Sequence, residues 1–108
     1  MLAMLDFNHA IELDPDIGQY YANRGVCYNN QGDYTKAIDD YTQAIKLEPD
    51  NAHFYFLRGQ SNNNISLEKK LLIGTNPYRQ AAIKDFEKAV SLGHTGAKAE
   101  LNKLKGWL

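Results

Sequence analysis

The 108-residue sequence has one cysteine, Cys27, so no internal disulfide framework can staple it. It also lacks any run approaching the ~18 apolar residues that a membrane-spanning helix requires. Residues 1–13 are interrupted by Asp6, Asn8, His9 and Glu12, a pattern foreign to a secretory leader, so the cytoplasm is the expected compartment. An excess of one charge is missing as well: 12 Lys and Arg stand against 13 Asp and Glu, for a net charge of -1. No basic cluster is denser than Lys69-Lys70 or the spaced C-terminal lysines, so neither nucleic acid nor an acidic membrane is an expected partner. Hydrophobic residues at 44% and charged residues at 23% fit one small globular domain and argue against disorder.

What the sequence does contain is a period. Ala10, Ile11, Leu13 and Pro15 return 34 positions later as Ala44, Ile45, Leu47 and Pro49. Asp6 and Phe7 return as Asp40 and Tyr41, and Tyr21, Arg24 and Gly25 as Tyr55, Arg58 and Gly59. A fixed period of this size marks a stacked fold in which each unit buries its apolar face on its neighbours. Within residues 18–50 helical spacing occurs twice, through Tyr21, Cys27 and Tyr28, then through Ala37, Ile38, Tyr41, Ala44, Ile45 and Leu47. Gly32-Asp33 separates the two: Gly ends one helix without a Cβ penalty, Asp caps the next, and Pro49 forbids the second from continuing. The unit is a helical hairpin. Gly25, Ala37 and Ala44 fall where helices must approach closely, with the rings of Tyr21, Tyr28, Tyr34 and Tyr41 opposite them.

These residues resemble the tetratricopeptide repeat, whose unit is two antiparallel helices in 34 residues. With Gly18 as its first position, the signature places are filled by Tyr21, Gly25, Tyr28, Gly32, Tyr34, Ala37, Tyr41, Ala44 and Pro49. Arg24 departs from the usual Leu, although Asn23-Arg24-Gly25 is similar to a common subclass. The resemblance implies an all-α fold, a right-handed helical-hairpin solenoid (an α-α superhelix), with no cofactor.

Three irregularities individualise the chain, read as one domain over residues 1–108. Residues 1–15 match only the second helix of a truncated repeat, ahead of a complete repeat at 18–50. The next repeat, 52–93, starts with Tyr55, Arg58 and Gly59, yet its second helix resumes at Ala82, Ile83, Phe86, Ala89, Val90 and Leu92. Ala37 to Ala82 is 45 residues, an insertion of 11 relative to the period, placed within 61–78. Eleven residues make about three helical turns, so a first helix lengthened to about Ile73 nearly preserves its inward face. Against that stands Asn62-Asn63-Asn64, three poor helix formers costing up to ~2 kcal/mol relative to Ala. The alternative is a kink there and a short helix from Ser66. Residues 95–107 place Ala97, Leu101 and Leu104 on one stripe and resemble a C-terminal capping helix.

Catalytic and metal constellations are missing. His9, His53 and His94 lie in different segments, no two at the i, i+4 spacing of ligands on one helix, so no metal is expected. Cys27 is read as a buried, inert thiol, and Asp39-Asp40 diverge by about 100° on a helix. There is no Gly-rich phosphate loop, and an enzyme is not expected. The resemblance instead implies a concave groove lined by first helices. Its places map onto Gln19, Ala22, Asn23, Val26, Asn29 and Asn30 in one repeat and His53, Phe56, Leu57 and Gln60 in the next. That lining is neutral amide with an apolar patch, suited to a peptide backbone and one or two apolar side chains. In the chaperone-binding subclass a terminal carboxylate is clamped by Lys, Asn and Arg. Asn23 occupies a clamp-like place, but His53 and Leu57 stand where cations are wanted. Arg24 and Arg58 are expected to pair structurally with carboxylates.

The expected function is therefore a non-enzymatic scaffold that binds a protein or peptide segment in this groove. Self-assembly is the alternative, since the leading helix has no first helix of its own to cover Leu2, Met4, Leu5, Phe7 and Ile11. Burying 300 Å² of such surface is worth ~7 kcal/mol before association costs, enough for a homo-oligomer. A piece of a longer array is a third reading.

Overall fold

A computed structural model describes residues 2–69 and 76–106, with side chains from Met4 onward. The described residues form helices and turns without a strand, and the chain divides into two compact units, residues 1–50 and 51–108.

The first unit holds α1 (Leu2–Leu13), α2 (Gly18–Asn30) and α3 (Tyr34–Leu47), with α1 on α2 and α2 on α3. Between α2 and α3 the backbone closes a Schellman turn. Asp33 N–H reaches the Tyr28 carbonyl at 2.9 Å and Gly32 N–H the Asn29 carbonyl at 3.0 Å, with Gly32 at φ +81° where a side chain would be strained. The Asp33 carboxylate then accepts from Lys36 N–H at 3.3 Å and starts α3, as the sequence implied. α3 ends at Leu47, two residues before Pro49. The core is Ala22, Ala37, Tyr41, Ala44 and Ile45, small residues against one large ring. Tyr21 OH donates to the Pro15 carbonyl at 2.9 Å and so ties the α1–α2 connection to α2.

The second unit holds α4 (Ala52–Lys69), α5 (Pro77–Ser91) and α6 (Thr95–Leu104), with α4 on α5 and α5 on α6. Its core is Phe54, Ile65, Ala82, Phe86, Ala89, Ala97 and Leu101. α4 runs unbroken through Asn62, Asn63 and Asn64 to Lys69; the expected helix end near Ile73 lies outside the described residues. Asn62 is tolerated mid-helix because it is buried and its amide donates to Asp85 at 3.3 Å. α5 begins at a strong signal, Asn76 accepting from Tyr78 N–H at 3.0 Å and Arg79 N–H at 3.1 Å with Pro77 at the first helical position. The Schellman turn recurs after α5, with Gly93 at φ +98° and His94 N–H on the Ala89 carbonyl at 2.9 Å.

Both expected arginine pairs are present. Arg24 grips Asp40 through Nε at 2.8 Å and Nη2 at 2.6 Å, and its Nη1 donates to Asn8 of α1 at 2.9 Å, so one guanidinium joins three helices. The hydrogen bond to Asp40 and that carboxylate's charge push the Arg24 pKa further up. Arg58 grips Asp85 at 3.0 and 2.8 Å. The partners are 16 residues apart in the first pair and 27 in the second, and the difference is the eleven-residue insertion. The extra residues enter between Arg58 and Asp85 and leave that pair in place.

Candidate functional site

On α2, Gln19 and Asn30 are exposed and Asn23, Val26 and Asn29 half-buried, while Ala22 is fully enclosed and offers no surface. Gln19 Nε2 donates to Asn23 Oδ1 at 2.8 Å, one helical turn away, so these two amides form an oriented pair. The single cation of α2, Arg24, is engaged by Asp40. Cys27 is half-buried, not buried as the repeat register implied. The enclosed stripe of α2 runs through Gly18, Ala22 and Gly25, and two residues past Gly25 is about 200° around the helix.

On α4, His53 is exposed and Phe56, Leu57 and Gln60 are half-buried. Phe56 belongs to the packing of its own unit. Its ring centroid lies 5.8 Å from Phe86 and 4.2 Å from His94, against the core of Ala82, Phe86, Ala89, Ala97 and Leu101. Leu57, the next residue along α4, is the other apolar side chain of this set and is half-buried. Asn63, at the place on α4 that Asn29 holds on α2, has an enclosed Oδ1 without a hydrogen-bond partner. Arg58 is engaged by Asp85, and Lys69 lies over the Tyr78 ring. The self-association set on α1 is graded: Leu5 is 62% exposed, Met4, Phe7 and Ile11 are half-buried, and the Leu2 side chain lies outside the described residues.

The histidines are not all isolated, and here the sequence reading is corrected. His53 Nδ1 and His94 Nε2 are 3.2 Å apart, although 41 residues separate them. His94 also caps α6, its Nδ1 accepting from Ala97 N–H at 3.1 Å. Burial, followed by the nearby His94, lowers the His53 pKa. The available signal was the parallel of Gly93-His94 with Gly32-Asp33, which marks His94 as a capping residue. Nothing in the sequence gave its distance from His53. Among the described residues no group of three or more His, Cys, Asp or Glu is placed to hold a metal, and no helix is long and apolar enough to cross a membrane.

Residues 18–51 match the family model described as tetratricopeptide repeat. Those 34 residues are a tetratricopeptide repeat. No curated protein matches the sequence. Among solved structures, the first tetratricopeptide domain of Spaghetti (RPAP3) bound to the HSP90 peptide SRMEEVD is similar at TM-score 0.81 and 20% identity, over 95% of this chain and 75% of that one. The Arabidopsis OM64 tetratricopeptide domain is similar at 0.81 and 22%, over 98% and 80%. The second tetratricopeptide domain of human RPAP3, in complex with the HSP70 peptide SGPTIEEVD, gives 0.78 and 26%, over 94% and 78%. These likenesses establish the all-α fold as that of tetratricopeptide solenoid structures.

Proposed function

We propose that this tetratricopeptide chain is a non-enzymatic protein-interaction scaffold in which the first helix of each unit, α2 in one and α4 in the other, offers a face to an extended peptide segment low in charge. The observation that carries this reading is the chemistry of the two faces. α2 presents the Gln19–Asn23 amide pair with Asn29 and Asn30, and α4 presents Leu57 and Gln60. The guanidiniums of both helices are engaged by Asp40 and Asp85. Amides on such a surface bond to peptide N–H and C=O groups, and Leu57 receives an apolar side chain. The similar RPAP3 domains hold peptides ending in Glu-Glu-Val-Asp. Here an acidic tail meets His53 and Leu57 in place of free cations, so such tails are the weaker ligands.

The test is a peptide library presented to the purified chain, followed by Asn23→Ala and Leu57→Ala. Selected peptides low in charge that lose affinity with both variants support the reading. Binding indifferent to both variants, or selection of acidic termini, rejects it.

Self-assembly through α1 is the second reading, favoured by the 62% exposure of Leu5 beside Met4, Phe7 and Ile11. Light scattering that finds a monomer over a wide concentration range rejects it.

A further inference from the structure

His53 and His94 share a hydrogen bond and not a metal. Their ring planes are 10° apart, the centroids are 5.5 Å apart and the facing nitrogens 3.2 Å apart. The nitrogen separation plus two ring radii accounts for the whole centroid distance. The rings therefore lie edge to edge with the nitrogens on the line between centres, and their lone-pair directions meet head-on. A shared cation needs two lone pairs converging on a point to one side.

The protons follow from the partners. His94 Nδ1 accepts from Ala97 N–H, so the neutral ring carries its proton on Nε2. That Nε2–H donates to His53 Nδ1, which leaves the His53 proton on Nε2. Every polar nitrogen between the rings and the helix start is satisfied only while both rings are neutral. A proton added to His53 Nδ1 points at the His94 N–H and breaks the bond between rings. A proton added to His94 Nδ1 points at the Ala97 N–H and breaks the cap.

We propose that the His53–His94 pair is a pH-sensitive latch that holds the first turn of α6 to α4 and releases it when either ring takes a proton. The latch also covers an aromatic ring, since His94 stacks on Phe56 at 4.2 Å and 16° between planes. The surroundings leave the rings to each other. Phe56 meets them from α4, Phe86 of α5 stands behind Phe56, and α6 brings the Ala97 amide and Gly96, where a Cβ would come within 3.2 Å of His94 Cε1. The charged groups of these helices act elsewhere: Arg58 on Asp85, Lys88 and Lys69 over tyrosine rings, Lys105 on Glu87, Lys103 on Glu100 and Arg79 on the Leu104 carbonyl. Glu68, Lys84 and Lys98 are exposed, and the ionisable group that acts on His53 is His94.

The direction follows from His53, whose pKa is lowered first by burial and then by His94. Above about 6.5 the imidazole is neutral in folded and unfolded chains alike, and the latch contributes fully. Below that value the unfolded chain takes the proton first, and the contribution disappears as pH falls through the lower folded value.

The experiment is NMR on the full ¹⁵N-labelled chain, reading imidazole tautomers and amide hydrogen exchange. At about pH 7.5 both rings carry their proton on Nε2 alone. Between about pH 7.5 and pH 5, protection of the Ala97 amide falls about fivefold beyond the intrinsic change, the equivalent of one N-cap, while Phe86 holds its protection. His94→Asn keeps an acceptor at the helix start without a titrating ring, so the fall at Ala97 vanishes. A proton on His53 Nδ1 at neutral pH, unchanged Ala97 protection in the native chain, or the same fall in His94→Asn overturns the proposal. The first two readouts need no variant to fold.

Discussion

Gly25 lies so close to the Tyr41 ring that a Cβ on the glycine would stand 2.6 Å from Tyr41 Cε1 and 2.9 Å from Cδ1. The second unit repeats this contact, with a Cβ on Gly59 falling 2.7 Å from Phe86 Cε1. Both rings are enclosed, Tyr41 at 1% exposure and Phe86 at 0%, so neither can swing aside without opening a void. Alanine gains up to ~1 kcal/mol of helix propensity over glycine, while overpacking a tight core costs ~1–3 kcal/mol. Gly25→Ala is expected to lose stability overall, by about 1 kcal/mol or more, in urea or thermal unfolding. Adding Tyr41→Leu should cost less than the two single losses combined, because the smaller side chain makes room for the new methyl.

The Arg24–Asp40 pair is expected to matter more than an ordinary surface ion pair. Asp40 is enclosed at 7% side-chain exposure and meets a two-toothed guanidinium that also reaches Asn8. Removing one partner of a fully buried pair costs ~3–5 kcal/mol, and the 23% exposure of Arg24 reduces that through solvent screening to about 2 kcal/mol for Asp40→Asn. Asp85→Asn should cost at least as much, since Asn62 also donates to that carboxylate. Chemical denaturation of both variants checks the order.

The helical hairpins were legible because each rests on short-range chemistry: the 34-residue echo, the Gly32-Asp33 stop and start, and Pro49. The arginine pairs were legible in kind, since Arg24 and Arg58 recur at a place facing the helix interface. The partner choice, Asp40 with Asp85, needed the insertion to be located correctly. A first helix continuing through the three asparagines was legible from the eleven-residue insertion, whereas what offsets them was not, because the bond from Asn62 to Asp85 spans 23 residues. The same holds for Phe56 and the histidines. A register assigns Phe56 to the groove, whereas its ring is held by Phe86 and by a capping residue 38 positions downstream, contacts that only the fold supplies.

Asn76 carries three bonds from one side chain. Its Oδ1 caps α5 through two backbone N–H groups, and its Nδ2 donates to Ser66 Oγ at 2.9 Å in the buried zone beside α4. Losing an N-cap typically costs ~1 kcal/mol, and a buried hydroxyl left without its donor adds about 1 kcal/mol. Asn76→Ala should therefore cost about 2 kcal/mol, and Asn76→Ser, which retains a capping oxygen, about half as much. Hydrogen exchange at Tyr78 and Arg79 should lose protection first in the alanine variant, and equal losses at every α5 amide would count against a local capping role.

Ionic strength separates the proposed ligand class from an acidic tail. A peptide held by amides and Leu57 has no charge pair to screen, whereas a carboxylate held by cations weakens as the Debye length shrinks from about 10 Å at 0.1 M salt to about 3 Å at 1 M. Affinity for a selected peptide low in charge should change less than about twofold across that range, with Asn23→Ala weakening binding about fivefold through one lost hydrogen bond. Leu57→Ala should weaken it by a similar factor without altering the unfolding midpoint much, because Leu57 is half-buried and outside the enclosed core. Titration calorimetry at the two salt concentrations measures both effects. A steep loss with salt would mean that the ligand's charge, and not its backbone, is what the chain reads.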